Sequence, residues 1–387
     1  MLKKVRSKHI MNIIFKNLQN KRKLNLVKYN KSLTIRLNLT IKDFEDYIVM
    51  NEFNNIYNAN IDDIDIKELN LSKLNIKNEG LKCLTKLQFK ELKELDLSDN
   101  KIATINILGK ANLEKLEKIN LSRNSISNIN ILEKINCNKL KELDLRVNEI
   151  SNINILKRVK FICLEKLDLS LNKISDINIL GEVNFKDLKE LYLRGNEISN
   201  INILEKVKFK ELNVLDLSRN KITDINILEN GIFPKLKILD LKDNEISDIN
   251  ILEKVNYKEL KELNLSSNNI SDIAILEKVN FKKLEKLFLS FNKISSINVL
   301  KEVNFENLKE LDLSYNIITN INILENVNFK DLEKISLNGN KITDINILRN
   351  VNFKELNELY LSGNNINKEK NLSIISNLES MIEKLSI

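Results

Sequence analysis

The chain has 387 residues, 30% of them charged, with 62 Lys+Arg against 54 Asp+Glu, one His, three Cys, one Pro, seven Gly and no Trp. An apolar share of 42% excludes a disordered chain, and the absence of any run of about 18 apolar residues excludes a membrane-spanning helix. Cys83, Cys137 and Cys163 are too few and too scattered for a disulfide framework, so a reducing, cytoplasmic setting is expected.

The N-terminal part is set apart by charge. Residues 1–50 hold 12 Lys+Arg and 3 Asp+Glu; subtraction from the totals leaves 50 basic against 51 acidic residues in the remainder. The basic character therefore belongs to an N-terminal module, residues 1–68, and not to the main body. The apolar part of MLKKVRSKHIMNIIFKNL is interrupted by Lys16 and followed by no small-residue cleavage site, so no signal peptide is expected. Ile10, Ile13, Ile14 and Leu18 recur at helical spacing, Lys21-Arg22-Lys23 breaks the pattern, and Leu24 and Val27 resume it. This predicts a helical hairpin over 9–33 that caps the first unit of the main body. The I-I-F-x-x-L core, basic break and L-x-L-V also resemble the F-box, without its usual early proline and late tryptophan. That resemblance implies a substrate receptor that recruits a ubiquitin-ligase adaptor. A third reading makes residues 1–42 an arm for anionic surfaces. No aromatic stacking set accompanies the basic residues, which argues against nucleic acid.

From residue 69 onward the chain repeats every 24 residues. Asn100, Asn124, Asn148, Asn172, Asn196, Asn220, Asn244, Asn268, Asn292, Asn316, Asn340 and Asn364 succeed one another without a slip. Leu stands three positions before every one of them, Ile two after and Leu eight after. Thirteen after is usually aromatic, as at Phe161, Phe185, Phe209, Tyr257 and Phe353, with Leu113 and Cys137 as exceptions. Leu95 and Leu97 of LKELDLSDNKI alternate onto one side of a short strand, and Ile105 and Leu108 return at helical or 3₁₀ spacing. One such unit cannot bury its apolar side alone and must stack on its neighbours. The Asn amide both donates and accepts, so a column of them can satisfy backbone groups left unpaired where each strand turns.

L-x-x-L-x-L-x-x-N-x-I resembles the leucine-rich repeat signature, closest to the short internalin-type and phosphatase-regulator-type repeats with two residues added. The resemblance implies an α/β fold: a right-handed solenoid, horseshoe or arc, with a parallel β-sheet on its concave side. The expected divisions are the helical N-terminal module (1–68), the repeats (69–370) and a C-terminal capping helix (371–387). In that helix Leu372, Ile375, Leu378, Ile382 and Leu385 share one face, with no further strand after it.

Alternation places the residues six, four, two and one before each Asn, and one after, away from the core. Six before, Glu94, Lys118, Glu142, Lys166 and Glu190 alternate in sign, as do Glu262, Lys286, Glu310, Lys334 and Glu358, which reads as ion pairs between adjacent strands. Val214 and Ile238 interrupt that series beside Tyr192. Phe288, Phe291, Tyr315 and Ile317 replace polar residues on two adjacent strands and should form one contiguous apolar patch, about 20 Å from the first group. These seven residues are the candidate partner-binding set. Asp96, Asp144, Asp168, Asp216, Asp240 and Asp312, four before Asn, and Arg146, Arg194 and Lys242, two before, read as repeat defaults.

No catalytic constellation is present. His9 is the only His, no Cys/His set has metal spacing and no phosphate-binding glycine motif occurs. Asp62, Asp63 and Asp65 lack the further ligands of a calcium loop and read as a solvated turn. The expected function is a non-enzymatic interaction scaffold that holds a protein ligand, with no cofactor, no metal and an oligomeric state the sequence leaves open.

Overall fold

The computed structural model describes residues 41–87, 89–230, 233–351 and 354–387. The expected hairpin at 9–33, its F-box-like residues, nearly all of the basic arm and the ring of Phe353 lie outside these residues. The described chain contains fourteen strands of three residues, three α-helices and a series of short 3₁₀ helices. It divides into two compact units, 1–138 and 139–387.

In the first unit, α1 (Ile41–Tyr57) leads into the repeats. Its Asn54 amide and carbonyl oxygen pair with the Ile61 carbonyl at 2.8 Å and the Ile61 amide at 3.0 Å, fixing the chain's exit from the helix. Phe53 is fully buried beside Tyr57, with ring centroids 4.7 Å apart. α2 (Lys77–Leu84) packs so close that a Cβ on Gly80 would lie 2.8 Å from the Tyr57 ring. Strands β1 (Glu68–Asn70), β2 (Glu94–Asp96) and β3 (Lys118–Asn120) pair in parallel, in that order. Each buries its central residue, Leu69, Leu95 or Ile119.

The second unit runs from β4 (Glu142–Asp144) to β14 (Lys384–Ser386), each strand hydrogen-bonded in parallel to the next. Leu143 aligns with Leu167, and Leu311 with Ile335, one repeat later. From β4 to β13 each strand ends four residues before its ladder Asn, where the chain begins to turn. Behind them the aromatic rings of Phe161, Phe185, Phe209, Phe233, Tyr257, Phe281, Phe305 and Phe329 are buried, each 3% exposed or less. The 3₁₀ turns on the return path are started by side-chain oxygens: Asp176, Asp224 and Asp344 each accept the amide two residues on at 2.8 Å. Cys137 of the first unit fills the ring position as a small buried thiol that donates to the Leu113 carbonyl at 3.3 Å. Burial pushes its pKa up to about 12.

The twelve asparagines hold the turns together. Within the second unit each Nδ2 from Asn172 to Asn364 donates to the Leu carbonyl of the preceding repeat at 2.9–3.1 Å. Each Oδ1 accepts the Ile amide of that repeat at 2.9–3.0 Å. Asn148 donates to its own Leu145 carbonyl at 3.0 Å. In the first unit Asn100 and Asn124 bond the Leu71 and Leu97 carbonyls in the same way, at 2.7 and 3.0 Å.

The C-terminus departs from expectation. The helix, α3 (Leu372–Met381), is followed by residues that form β14 against β13 (Glu358–Tyr360). Its buried face is Ile374 and Leu378, while Leu372 is 64% exposed. The chain thus closes the sheet with a strand as well as a helix. The side chains two before Asn also differ from the simple alternation. Ser122, Ser170, Ser218, Ser266, Ser290 and Ser314 are buried. The Ser122, Ser218 and Ser314 hydroxyls fold back into the turn, Ser218 Oγ donating to Asp216 Oδ1 at 2.6 Å, while Ser290 Oγ donates to Ser266 Oγ of the adjacent repeat at 3.0 Å.

Candidate ligand-binding face of the sheet

The outer face of the sheet is mostly settled by its own neighbours. In the row six before Asn, Lys118–Glu94, Lys166–Glu190, Lys286–Glu262 and Lys334–Glu310 lie at 3.8, 3.1, 3.6 and 2.5 Å, and Lys384 of β14 extends it by pairing with Glu358. A second ladder one residue earlier joins Lys93–Glu117, Lys189–Glu165, Lys261–Glu285 and Lys309–Glu333. Sequence reasoning missed it, although Lys and Glu alternate there by the same rule. Such exposed pairs contribute about 0–1 kcal/mol each and mainly favour the in-register neighbour.

The row four before Asn is occupied by turn caps. Asp96, Asp144, Asp168, Asp216, Asp240 and Asp312 each accept the amide two residues on at 2.8–2.9 Å. Asn120 and Asn264 do the same at 3.0 and 3.1 Å. Asp168 is buried and the others are half-buried, with Asp144 opposite Asp168 and Asp216 opposite Asp240 on adjacent strands. Burial first, then the neighbouring Asp216, raises Asp240 to about 6 against the pull of the Lys242 amide. Asp144 is raised in the same way, by burial and then by Asp168. Arg194 reaches Ser218 Oγ at 3.5 Å. Asp63 accepts the Asp65 amide at 3.2 Å, a turn contact.

Against this background the two apolar groups differ. On β6 (Glu190–Tyr192), the Tyr192 hydroxyl donates to Glu190 Oε2 at 3.0 Å, and Lys166 Nζ lies 5.1 Å from the ring centroid. Burial and then Glu190 push the phenol's pKa well up. Val214 of β7 (Val214–Asp216) stands directly opposite Ile238 of β8 (Ile238–Asp240), and both are half-buried.

The second group is open. Phe291 and Tyr315 are 54% and 51% exposed and stack face to face, centroids 4.2 Å apart and planes within 12°. Ile317 is 41% exposed. Phe288 ends β10 (Lys286–Phe288), half-buried, in register with Asp312 of β11 (Glu310–Asp312). The backbone explains the outward aim of the stack. The residue one before the ladder Asn takes positive φ along the sheet, including Phe291 at 54° and Tyr315 at 52°. Gly takes this position at Gly195, Gly339 and Gly363. The left-handed turn swings the side chain off the sheet, at a cost of about 1–2 kcal/mol for a residue with a Cβ. The Tyr315 ring lies over Gly339, where an added Cβ would come within 2.6 Å of it. Three glycines in one row were the sequence signal for this turn. Beside the stack a shallow cleft of about 220 Å³ is lined by Asp312, Lys334, Ser336, Asn338 and Tyr360.

Residues 210–254, 258–302 and 306–350 match a family model described as leucine-rich repeats in two copies, and residues 91–104 and 162–177 match a single leucine-rich repeat. Among solved structures, an internalin of Listeria monocytogenes is 26% identical over 86% of this chain and 90% of its own, with a TM-score of 0.66. A leucine-rich repeat protein of Leptospira interrogans is 20% identical over 87% and 98%, TM-score 0.60. The ectodomain of a plant membrane receptor kinase from Arabidopsis thaliana, in complex with Casparian strip integrity factor 2, is 21% identical over 73% and 37%, TM-score 0.54. No curated protein matches the sequence significantly. No described helix is long and apolar enough to cross a membrane.

Proposed function

Because the chain is a leucine-rich repeat protein, we propose that it is a non-enzymatic scaffold that captures a protein ligand on its exposed sheet face, anchored by Phe291 and Tyr315. Proteins of this fold are generally protein-binding scaffolds and not enzymes. The observation that carries the reading is the exposed aromatic stack at left-handed backbone positions. Nothing in the fold needs two rings there, since Gly serves the same turn at Gly339 and Gly363. Large rigid rings on a rigid surface are the side chains that dominate protein interfaces. Ile317 and Phe288 widen the anchor, and Tyr192, Val214 and Ile238 form a secondary contact within the footprint of one partner. All three cysteines are free, which suits a cytoplasmic setting.

The test compares the full chain with Phe291→Glu/Tyr315→Glu in affinity capture from the native cell. The variant keeps the circular dichroism spectrum and melting temperature of the parent and loses its identified partner. Retention of the same partner by the folded variant refutes the site.

A further inference from the structure

The row one after each ladder Asn carries a charge pattern that changes at the aromatic stack. In the earlier repeats of the second unit its lysines are matched: Lys173 meets Glu149 at 3.2 Å and Lys221 meets Glu197 at 3.3 Å. Around the stack the row reads Asn269, Lys293, Ile317, Lys341, Asn365. Lys293 and Lys341 flank Ile317, and neither has a carboxylate in this row on either side. Both are exposed, and neither makes an ion pair with any described residue. The nearer lysines of the strands, Lys286 and Lys334, are already engaged by Glu262 and Glu310.

We propose that the Phe291–Tyr315 surface takes an acidic protein segment: an aromatic or aliphatic side chain set against the stack, with carboxylates on either side meeting Lys293 and Lys341. This rests on the scaffold reading above and specifies the partner's chemistry. Two strand spacings put the two ammonium groups roughly 10 Å apart, the reach of about three residues of extended chain. Charge complementarity selects the occupant. A basic segment would meet two uncompensated cations. A nucleic acid carries a phosphate at every nucleotide, of which the two cations flanking the stack would meet only two.

The experiment pans a displayed random dodecapeptide library on the full chain. It then measures the selected peptides against Phe291→Ser/Tyr315→Ser and Lys293→Gln/Lys341→Gln. The expected peptides carry Asp or Glu flanking an apolar residue. They lose all measurable binding to the aromatic variant and about 5- to 30-fold affinity to the lysine variant, a loss that shrinks as salt rises. Peptides that need Phe291 and Tyr315 but show no acidic excess, or bind the lysine variant equally well, overturn the acidic assignment and leave the scaffold reading standing. Absence of any peptide dependent on the two rings overturns both. Binding of labelled oligouridylate that depends on Phe291 and Tyr315 also overturns the assignment, in favour of single-stranded nucleic acid.

Discussion

Truncation of one ladder residue, Asn220→Ala, tests what holds the solenoid together. Asn220 Nδ2 donates to the Leu193, Leu217 and Ser218 carbonyls at 3.0, 2.9 and 3.1 Å. Its Oδ1 accepts the Ile198 amide at 3.0 Å. All of this lies in the buried turn, so the variant orphans one amide and at least one carbonyl. A buried polar group left without a partner costs about 1–3 kcal/mol, giving a loss of about 2–6 kcal/mol for the two. The damage is local in a stack where each repeat contacts only its neighbours. Hydrogen exchange should therefore show faster opening at Ile198 and Leu217 than in repeats several turns away, with a lowered urea midpoint. Lys221→Ala, on the exposed neighbour, is the control and changes stability by less than about 0.5 kcal/mol. A loss below about 1 kcal/mol at Asn220, or exchange that accelerates evenly along the chain, would show that the amide column is ornament and apolar packing alone sets the turns.

Two further predictions concern groups that the fold accommodates poorly. Tyr257 fills a ring position at 1% exposure, and its hydroxyl meets no hydrogen-bond partner. Tyr257→Phe should raise stability by about 1–2 kcal/mol in urea unfolding, and an unchanged or lower midpoint contradicts the account. Asp240 holds its proton up to about 6, above its ordinary 3.8. The folded chain therefore binds that proton more tightly than the unfolded chain does, and stability falls as pH rises from about 4 to about 6. Asp240→Asn keeps an acceptor for the Lys242 amide, as Asn120 and Asn264 do for theirs. It should gain about 1–2 kcal/mol at pH 7 and little at pH 4. An equal gain at both values points to a cause other than charge.

The interior of the repeats was legible because each residue there answers to one demand. Leu95, Leu97, Ile102 and Leu108 are buried, as are their counterparts in every later copy but the last, where Ile366 is half-buried and Leu372 exposed, and the period of 24 fixes their register. The ends were less legible because the period changes there. Glu68 pairs with Glu94, and Glu358 with Lys384, offsets of 26 residues in place of 24. In both cases the return path contains an α-helix, α2 or α3, which after β13 follows a 3₁₀ turn at Glu369–Asn371. An α-helix rises about 1.5 Å per residue against about 2.0 Å, so the same return takes more chain. That shift hid β14, although Lys384 continues the charge series and Leu385 pairs with Leu359. The site was legible as composition but not as geometry. Alternation put Phe291 and Tyr315 on the outer face, yet their stacking depends on a left-handed turn that alternation does not encode.

The residues that forgo local stabilisation bear on where a partner binds. Four before Asn, three aromatics replace the capping Asp. Tyr192 and Tyr360 recover a local role, each hydroxyl donating to a Glu of its own strand at 3.0 and 3.1 Å. Phe288 has no such group and leaves the Ser290 amide without the side-chain acceptor that Asp312 gives Ser314. Phe291 and Tyr315 occupy a backbone conformation that favours Gly, and Ile317 stands where a carboxylate would pair Lys293 and Lys341. The missing turn cap at Phe288 and the missing ion pair at Ile317 each forgo roughly 0.5–1 kcal/mol that other repeats keep. Arg123, Val147, Leu171 and Arg219 take the same left-handed turn without Gly, but aromatic rings stand there only in the two adjacent repeats of Phe291 and Tyr315, beside Phe288 and Ile317. The folded chain alone gains only the stacking of one ring pair from them, about 0.5–1.5 kcal/mol. On the proposed function a covering partner supplies the remainder, and Tyr192, equally aromatic but locally satisfied, would be the weaker anchor.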